Sequence, residues 1–443
     1  VNDTIAAIST AFGEGAIALL RLSGPRALEI ANAVFRSRQT VPELPARLAQ
    51  LGSIFDREQK LDDALLTVFR SPASYTGEDV VEIACHGGIL VTRRIYEALL
   101  RHGARAAEPG EFTQRAFLHG KLDLTQAEAV MDLITAQTDL ALRAAHEQLE
   151  GRLGQRIRRL RESLLEMLAH IEAYIDFPDE DIAPDTGDAF RHRIKSALDE
   201  ITRLLATADQ GRVLREGVRT VIYGAPNVGK SSLLNRLLGY ERAIVSERPG
   251  TTRDVIEEVI NLRGIPLRLA DTAGIRESDD AIEREGIERT RRTLERADLV
   301  LHVFDASVAN PEDQASNPAT SIVVLNKTDR GEHESWRGVE AVRISCSENL
   351  GFDELAAAIE QRIFGGTAVK RDWTVAINAR HQANLESARH YLQAADRAFT
   401  DGLSAELIAE EIRAALDSVG AIVGKANMED LLDVIFGRFC IGK

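Results

Sequence analysis

Gly224-Ala-Pro-Asn-Val-Gly-Lys-Ser231 follows the apolar run Val221-Ile222-Tyr223 and leads into Ser232-Leu-Leu-Asn-Arg-Leu-Leu238, which has helical spacing. Strand, glycine-bounded loop and helix form the setting in which the pattern G-x-x-x-x-G-K-[ST] means a phosphate-binding loop. The glycines let consecutive backbone N–H groups converge on phosphate oxygens, and the helix N-terminus adds partial positive charge. Lys230 is placed to reach the outer phosphates and the Ser231 hydroxyl to bind Mg²⁺. The competing reading is a glycine turn ahead of an ordinary core helix. Residues downstream decide against it.

Residues 217 to about 365 alternate strand and helix, with strands expected at 218–223, 255–262, 266–270, 299–304, 321–325 and 341–345. Such alternation predicts a doubly wound, mostly parallel sheet with its nucleotide at the carboxyl edge of the strands. Asp271-Thr-Ala-Gly274 follows one strand; Asp271 there is suited to hold Mg²⁺ through water, and Gly274 to give an N–H to a γ-phosphate. Asn326-Lys-Thr-Asp329 follows another. A carboxylate at Asp329 accepts two hydrogen bonds from a guanine edge, whereas adenine presents an acceptor there. Ser345-Cys-Ser347 offers backbone contacts to the base oxygen. Each motif is weak alone; all of them in order, each at a strand end, imply a GTP-hydrolysing domain. Ala243-Ile-Val-Ser-Glu-Arg-Pro-Gly-Thr-Thr-Arg-Asp254 suits a segment that orders over the γ-phosphate and Mg²⁺. Ile275 stands where Ras-like GTPases place a water-positioning glutamine. The site therefore needs another group, a cation or a second subunit, with Arg276 as the rival.

The flanks have a different texture. A chain of 443 residues exceeds one ordinary core, so about two or three domains are expected. Residues 1–118 read as a mixed α+β domain, with strands over Thr4–Ile8, Ala16–Leu22 and Ala64–Phe69, a turn at Phe12–Gly15 and a helix over Ala27–Phe35. Ser74–Gly88 is a polar turn feeding an alternating strand. Glu82 sits there among Val80, Val81 and Ile83, an awkward place for an unpaired carboxylate; a wet strand face explains it as well as a function does. Lys121 reads as a solvated loop lysine, and Asp123 or Thr125 as the cap of the next helix. From Gln126 to about Ala208 the period is helical. Leu149, Leu153, Ile157, Leu160, Leu164, Leu168 and Ile171 form one apolar stripe along a long helix. Arg156, Arg158, Arg159 and Arg161 read as a solvated face, with tRNA contact the minority option. The acidic turn Asp176–Asp185 reads as a loop, with a metal site the alternative that nothing in its spacing selects. Beyond Trp373 the pattern is helical to Phe439. The simplest architecture is an N-terminal domain (1–118) and a helical domain in two segments (119–210 and 371–443), with an α/β nucleotide domain (211–370) inserted.

The formal charge of −15 excludes a protein that coats nucleic acid through bulk electrostatics, leaving a local basic patch or a borrowed surface. Cys85, Cys346 and Cys440 show no C-x-x-C spacing, which fits a reducing compartment. Neither a membrane-spanning run nor a signal peptide is read, so a soluble, cytoplasmic chain is expected. The first residue is Val1 rather than Met, which leaves the native start open.

Over essentially its whole length the chain resembles the MnmE (TrmE) family of tRNA modification GTPases. The resemblance rests on Tyr75-Thr-Gly-Glu-Asp79, Pro109-Gly-Glu-Phe112, Lys121-Leu-Asp-Leu124, the nucleotide motifs, Gly250-Thr-Thr-Arg-Asp254 and the terminal Cys440-Ile-Gly-Lys443. It implies a multidomain homodimer: an α+β folate-binding and dimerising domain, an all-α helical domain and an inserted α/β P-loop G domain. It implies that, with an FAD-dependent partner (MnmG, or GidA), the protein puts a carboxymethylaminomethyl or aminomethyl group on carbon 5 of the wobble uridine of certain tRNAs. The one-carbon unit comes from 5,10-methylenetetrahydrofolate, with 5-formyltetrahydrofolate as an analogue. The implied folate residues are Arg21, Glu82, Lys121 and Lys443. For GTP and GDP they are Asn227, Val228, Gly229, Lys230, Ser231, Ser232, Ser246, Thr251, Thr252, Asp271, Thr272, Ala273, Gly274, Asn326, Lys327 and Asp329. Mg²⁺ falls to Ser231 and Thr252, and K⁺ to the Asn227 side chain with main-chain oxygens of Ser246, Arg248 and Thr251. Glu283 is implied to position the attacking water; its residues alone read as an exposed helix glutamate. Cys440 otherwise reads as a small buried apolar residue. The alternative to a modifying enzyme is a GTP switch in ribosome assembly or signalling.

Overall fold

The computed structural model describes residues 3–176, 187–240, 258–269, 294–311, 320–364, 376–424, 432, 435–437 and 439–442. The chain divides into two compact units, one of Val1–Met131, Gly154–Glu162 and Leu416–Lys443, the other of Asp132–Leu153 and Ser163–Ala415.

The first unit begins β1 (Ile5–Ile8), β2 (Ile17–Ser23), α1 (Ala27–Val34), β3 (Phe35–Arg36), β4 (Ala49–Asp56), β5 (Gln59–Phe69), β6 (Val80–His86), α2 (Ile89–Arg101), β7 (Arg105–Ala106) and α3 (Glu111–Leu118). The strands form one sheet in the order β3-β4-β5-β6-β2-β1-β7. Alternation in β2 and β6 sends Leu20, Leu22, Val81 and Ile83 to the face that packs on Ile30 and Val34 of α1 and Ile95 and Leu99 of α2. The other face receives the residues between them. Register sets Arg21 of β2 directly across from Glu82 of β6. Sequence reading misses β4, because it lies near the sheet edge with most side chains half-exposed and so shows little apolar alternation. Gly52 there is a packing glycine, since a Cβ would stand 2.3 Å from the Phe35 ring.

Arg115 of α3, 1% exposed, is bonded to Asp3 (2.7 Å), Glu78 (3.2 Å) and Glu111 (2.9 Å). Glu78 also accepts from Ser23 Oγ at 2.6 Å, so the network pins the segment between β5 and β6. Removing one member of a buried ionic network strands the others. Arg115→Met is expected to lower stability by about 3–5 kcal/mol, read by urea denaturation of the full chain; a change below about 1 kcal/mol would show the network to be solvent-screened.

Helices follow: α4 (Leu124–Thr135), α5 (Asp139–Leu149), α6 (Arg152–Asp176), α7 (Gly187–Leu205) and α8 (Ala208–Glu216). Asp123 caps α4, its Oδ1 accepting from Gln126 N (3.0 Å) while Gln126 Oε1 accepts from Asp123 N (3.0 Å). The apolar stripe is confirmed at Leu153, Ile157, Leu160, Leu164 and Leu168, all buried. Its first member is a correction: Leu149 ends α5, and Gly151, at φ 81, breaks the helix before α6. Residues 177–185 of the acidic turn lie outside the described residues.

Within the second unit a sheet is built from β8 (Val218–Tyr223), β9 (Glu258–Leu262), β10 (Ile265–Leu269), β11 (Leu299–Asp305), β12 (Ser321–Asn326) and β13 (Val342–Arg343), with α9 (Lys230–Tyr240) and α10 (Phe352–Phe364). Strand order is β13-β12-β11-β8-β10-β9, parallel except for the β9–β10 hairpin. Near-continuous apolar runs such as Leu299–Phe304 are what a strand buried on both faces requires. The expected strand at 341–345 shortens to Val342–Arg343. Two further helices, α11 (Ala379–Thr400) and α12 (Ala405–Val423), follow. Among the described residues no helix is long and apolar enough to cross a membrane.

Candidate functional site

The loop after β8 is shaped by close approach. A Cβ on Gly224 (φ 152) would lie 2.2 Å from Val303 O, and one on Gly229 (φ 102) 2.1 Å from Asn326 Nδ2. Only glycine fits at either position. Asn227, between them, holds a left-handed backbone at φ 64, and Val228 is buried. Lys230 Nζ donates to Gly224 O (2.9 Å) and Ala225 O (2.7 Å), which folds its ammonium back over the loop. Burial pushes its pKa below the usual lysine range, so an anion beside it would be stabilising. Ser231 and Ser232 are exposed in the first turn of α9. A backbone cradle with an ammonium and a hydroxyl at a helix N-terminus fits a polyphosphate with Mg²⁺.

The base-reading loop is tied to the same cradle. Asn326, 2% exposed, donates from Nδ2 to Val228 O (2.9 Å) and accepts at Oδ1 from Cys346 N (3.2 Å). Its side chain is a strut between the phosphate loop and Ser345–Ser347. Lys327, left-handed at φ 63, donates from Nζ to Asn227 O (2.7 Å) and Asp305 Oδ2 (2.7 Å). Asp329 is exposed, and its Oδ1 accepts from Ser345 Oγ at 2.6 Å. That bond, with help from Ser347, holds the carboxyl below the usual aspartate range, so it is ionised at neutral pH. Asp305 is a residue that sequence reading missed. The available signal was its place at the carboxyl end of an apolar central strand, where ligands of such sheets bind.

Ser246, Arg248, Thr251, Thr252, Asp271, Thr272, Ala273, Gly274, Ile275, Arg276, Glu283 and Lys443 lie outside the described residues.

A second constellation lies on the face of the first sheet opposite α1 and α2. Arg21 Nε (3.0 Å) and Nη2 (2.7 Å) both donate to Glu82 Oε1, which answers the question of an unpaired carboxylate in that strand. Its guanidinium lies 5.7 Å from the ring centroids of Tyr75 and of Phe112. Arg21 Nη1 also donates to Gly442 O at 3.4 Å. The C-terminal stretch is held there by Ser9 Oγ donating to Gly442 O (3.3 Å) and Gly110 N donating to Cys440 O (3.4 Å). Cys440 itself is exposed, which corrects the reading of it as a small buried residue. Lys121 Nζ donates to Pro72 O (2.9 Å), on the segment that carries Tyr75, rather than to Glu82. A cation–carboxylate pair between two aromatic rings, with a further lysine on the adjoining loop, suits a flat heterocycle bearing an anionic tail.

A family model described as "MnmE helical domain" matches residues 124–440, and one described as "GTP-binding protein TrmE N-terminus" matches 4–121. The protein named tRNA modification GTPase MnmE in Akkermansia muciniphila is 51% identical over 448 residues, covering 99% of each chain. Its namesake in Geobacillus kaustophilus is 46% identical over 458 residues (100% of this chain, 99% of the other), and that of Staphylococcus aureus strain Newman 42% over 456 (100% and 99%). A solved G domain of the T. maritima FeoB iron transporter aligns with 34% of this chain and 99% of its own at 24% identity and a TM-score of 0.24, too low to carry an argument.

Proposed function

The chain belongs to the MnmE (TrmE) family of tRNA modification GTPases, and from that premise we propose a K⁺-dependent GTPase that modifies carbon 5 of a tRNA wobble uridine together with an FAD-dependent partner of the MnmG kind. It hydrolyses GTP to GDP and phosphate. The observation that carries the nucleotide reading is that Asn326 and Lys327 bond the loop that carries Lys230, while Ser345 holds Asp329 two residues beyond Lys327. Lys230 neutralises the outer phosphates, Asp329 selects guanine, and Asn326 keeps the two loops in register. Ser231 with Thr252 would hold Mg²⁺, and Asn227 with main-chain oxygens of Ser246, Arg248 and Thr251 would hold K⁺; the cations supply neutralisation of charge developing on the phosphates. Glu283 is assigned to the attacking water.

Arg21, Glu82, Lys121 and Lys443 form the folate site of this reading. Glu82 accepts from the donors of a pterin edge, and the cations face the glutamyl tail. The steps are assigned to domains 1–118, 119–210 with 371–443, and 211–370, in a cytoplasmic homodimer. Calorimetry of the full chain with 5-formyltetrahydrofolate should show binding that falls by about 10–100-fold in Glu82→Ala. Unchanged affinity removes Glu82 from the site. The whole function is tested by mass spectrometry of tRNA nucleosides from a deletion strain carrying this gene or an empty vector. Restored C5-modified uridine supports the reading, whereas GTP turnover with no change in nucleosides favours a GTP switch without modification chemistry.

A further inference from the structure

Asp305 closes β11 and belongs to none of the motifs that identify the nucleotide site. Both its carboxylate oxygens are committed: Oδ2 accepts from Lys327 Nζ (2.7 Å), and Oδ1 from Ser307 N (3.0 Å) and Ser307 Oγ (2.6 Å). The same Lys327 ammonium donates to the main-chain oxygen of Asn227 at 2.7 Å. One ammonium therefore joins the end of β11, the phosphate loop and the base-reading loop. Lys327 and Asn227 share an unusual backbone, φ 63 and φ 64. Non-glycine residues keep that conformation only where their surroundings over-determine it.

We propose that Asp305 is a positioning residue that, by fixing Lys327 against Asn227 O, sets the phosphate-loop asparagine for its cation and the base-reading loop for guanine at the same time. The cation half rests on the K⁺ reading given above. Geometry carries the link. Without the carboxylate, the Lys327 ammonium keeps only one of these acceptors and can swing to solvent. Asn227 then loses the donor that orders its peptide, and Asp329, two residues beyond Lys327, loses part of its frame. A merely stabilising ion pair would lower the melting temperature without moving the cation dependence.

The test compares K⁺ titrations of GTP turnover and GDP affinities for the full-length wild type and Asp305→Asn. The half-activating K⁺ concentration and the GDP dissociation constant should each rise about tenfold. Ser307→Ala, which removes one bond orienting Asp305, should shift both in the same direction but less. Glu332→Gln, which breaks an ion pair with Arg343 (2.8 Å) near the sheet's β13 edge, controls for stability and should move neither. Superimposed K⁺ curves for wild type, Asp305→Asn and Ser307→Ala, or a lower melting temperature as the sole change, overturn the proposal. A wild type indifferent to K⁺ overturns the underlying cation reading instead, and is recognised from the wild-type curve alone.

Discussion

Asp329→Asn should reverse base preference, weakening GTP by about 10⁴-fold and making xanthosine triphosphate the better ligand. Asp329 is exposed at the loop, and Ser345 Oγ already donates to its Oδ1 at 2.6 Å. The hydroxyl fixes the carboxylate plane while lone pairs remain for the two donors of a guanine edge. An asparagine of the same shape turns one acceptor into an N–H₂, which meets guanine's own donor and leaves both unsatisfied in a desolvated contact. Xanthine carries an oxygen at that position and accepts the new donor. The carboxyl pKa lies below its ordinary 3.8 because Ser345, then Ser347, donate to the anion. A depressed pKa means the binding form is lost only as pH falls through that low value. Guanine selection should therefore stay flat between about pH 6 and pH 8. Competition between the two triphosphates decides the matter; a variant that still prefers GTP removes Asp329 as the reader.

K⁺ should raise GTP turnover over Na⁺ at matched ionic strength by a factor approaching that of an arginine finger, about 10³–10⁵. Ile275 has no group to orient water, so the charge that builds on the transferring phosphoryl must be met otherwise. Asn227 is the exposed amide of the phosphate loop, in a left-handed turn between two glycines that no side chain could replace. Its carbonyl is held by Lys327, which leaves the side-chain oxygen for a cation. Asn227→Ala should abolish the K⁺ effect while GDP affinity changes little, and Glu283→Ala should slow hydrolysis at constant affinity. Turnover should also rise with protein concentration if two G domains close the site. Equal rates in the two salts sink the cation mechanism, and a large loss in Arg276→Ala would assign the role to a finger.

What could be read from sequence was whatever local spacing encodes. Gly224, Gly229 and Lys230 announce themselves because close approach to Val303 O and Asn326 imposes glycine at fixed offsets. The strands of the nucleotide sheet were legible because burial on both faces makes them continuously apolar. Arg21 and Glu82 come together in the sequence only through the family resemblance; their pairing depends on the β2–β6 register across 61 residues of chain, which periodicity does not reveal. Nothing in the local spacing marks Arg115; Asp3 and Glu78, distant in sequence, join Glu111 one turn away to make it a buried node. Asp305 was invisible for the same reason, its meaning lying in an ammonium that arrives from another strand end. Leu149 falls outside the stripe because its four-residue spacing to Leu153 runs across Gly151, where the chain breaks between α5 and α6.

The bond from Arg21 to Gly442 spans 421 residues of chain, and that separation is also an interval of time. At about 5–20 residues per second, a ribosome that has finished β2 has roughly 20–85 s of translation left before it makes residues 440–442. Through that interval the sheet can fold around its apolar face while the wall beside Arg21 and Ser9 does not yet exist. The constellation around Arg21 is thus completed long after the strand that carries it. Any chain released before that stretch is made would carry the first sheet without the wall beside Arg21.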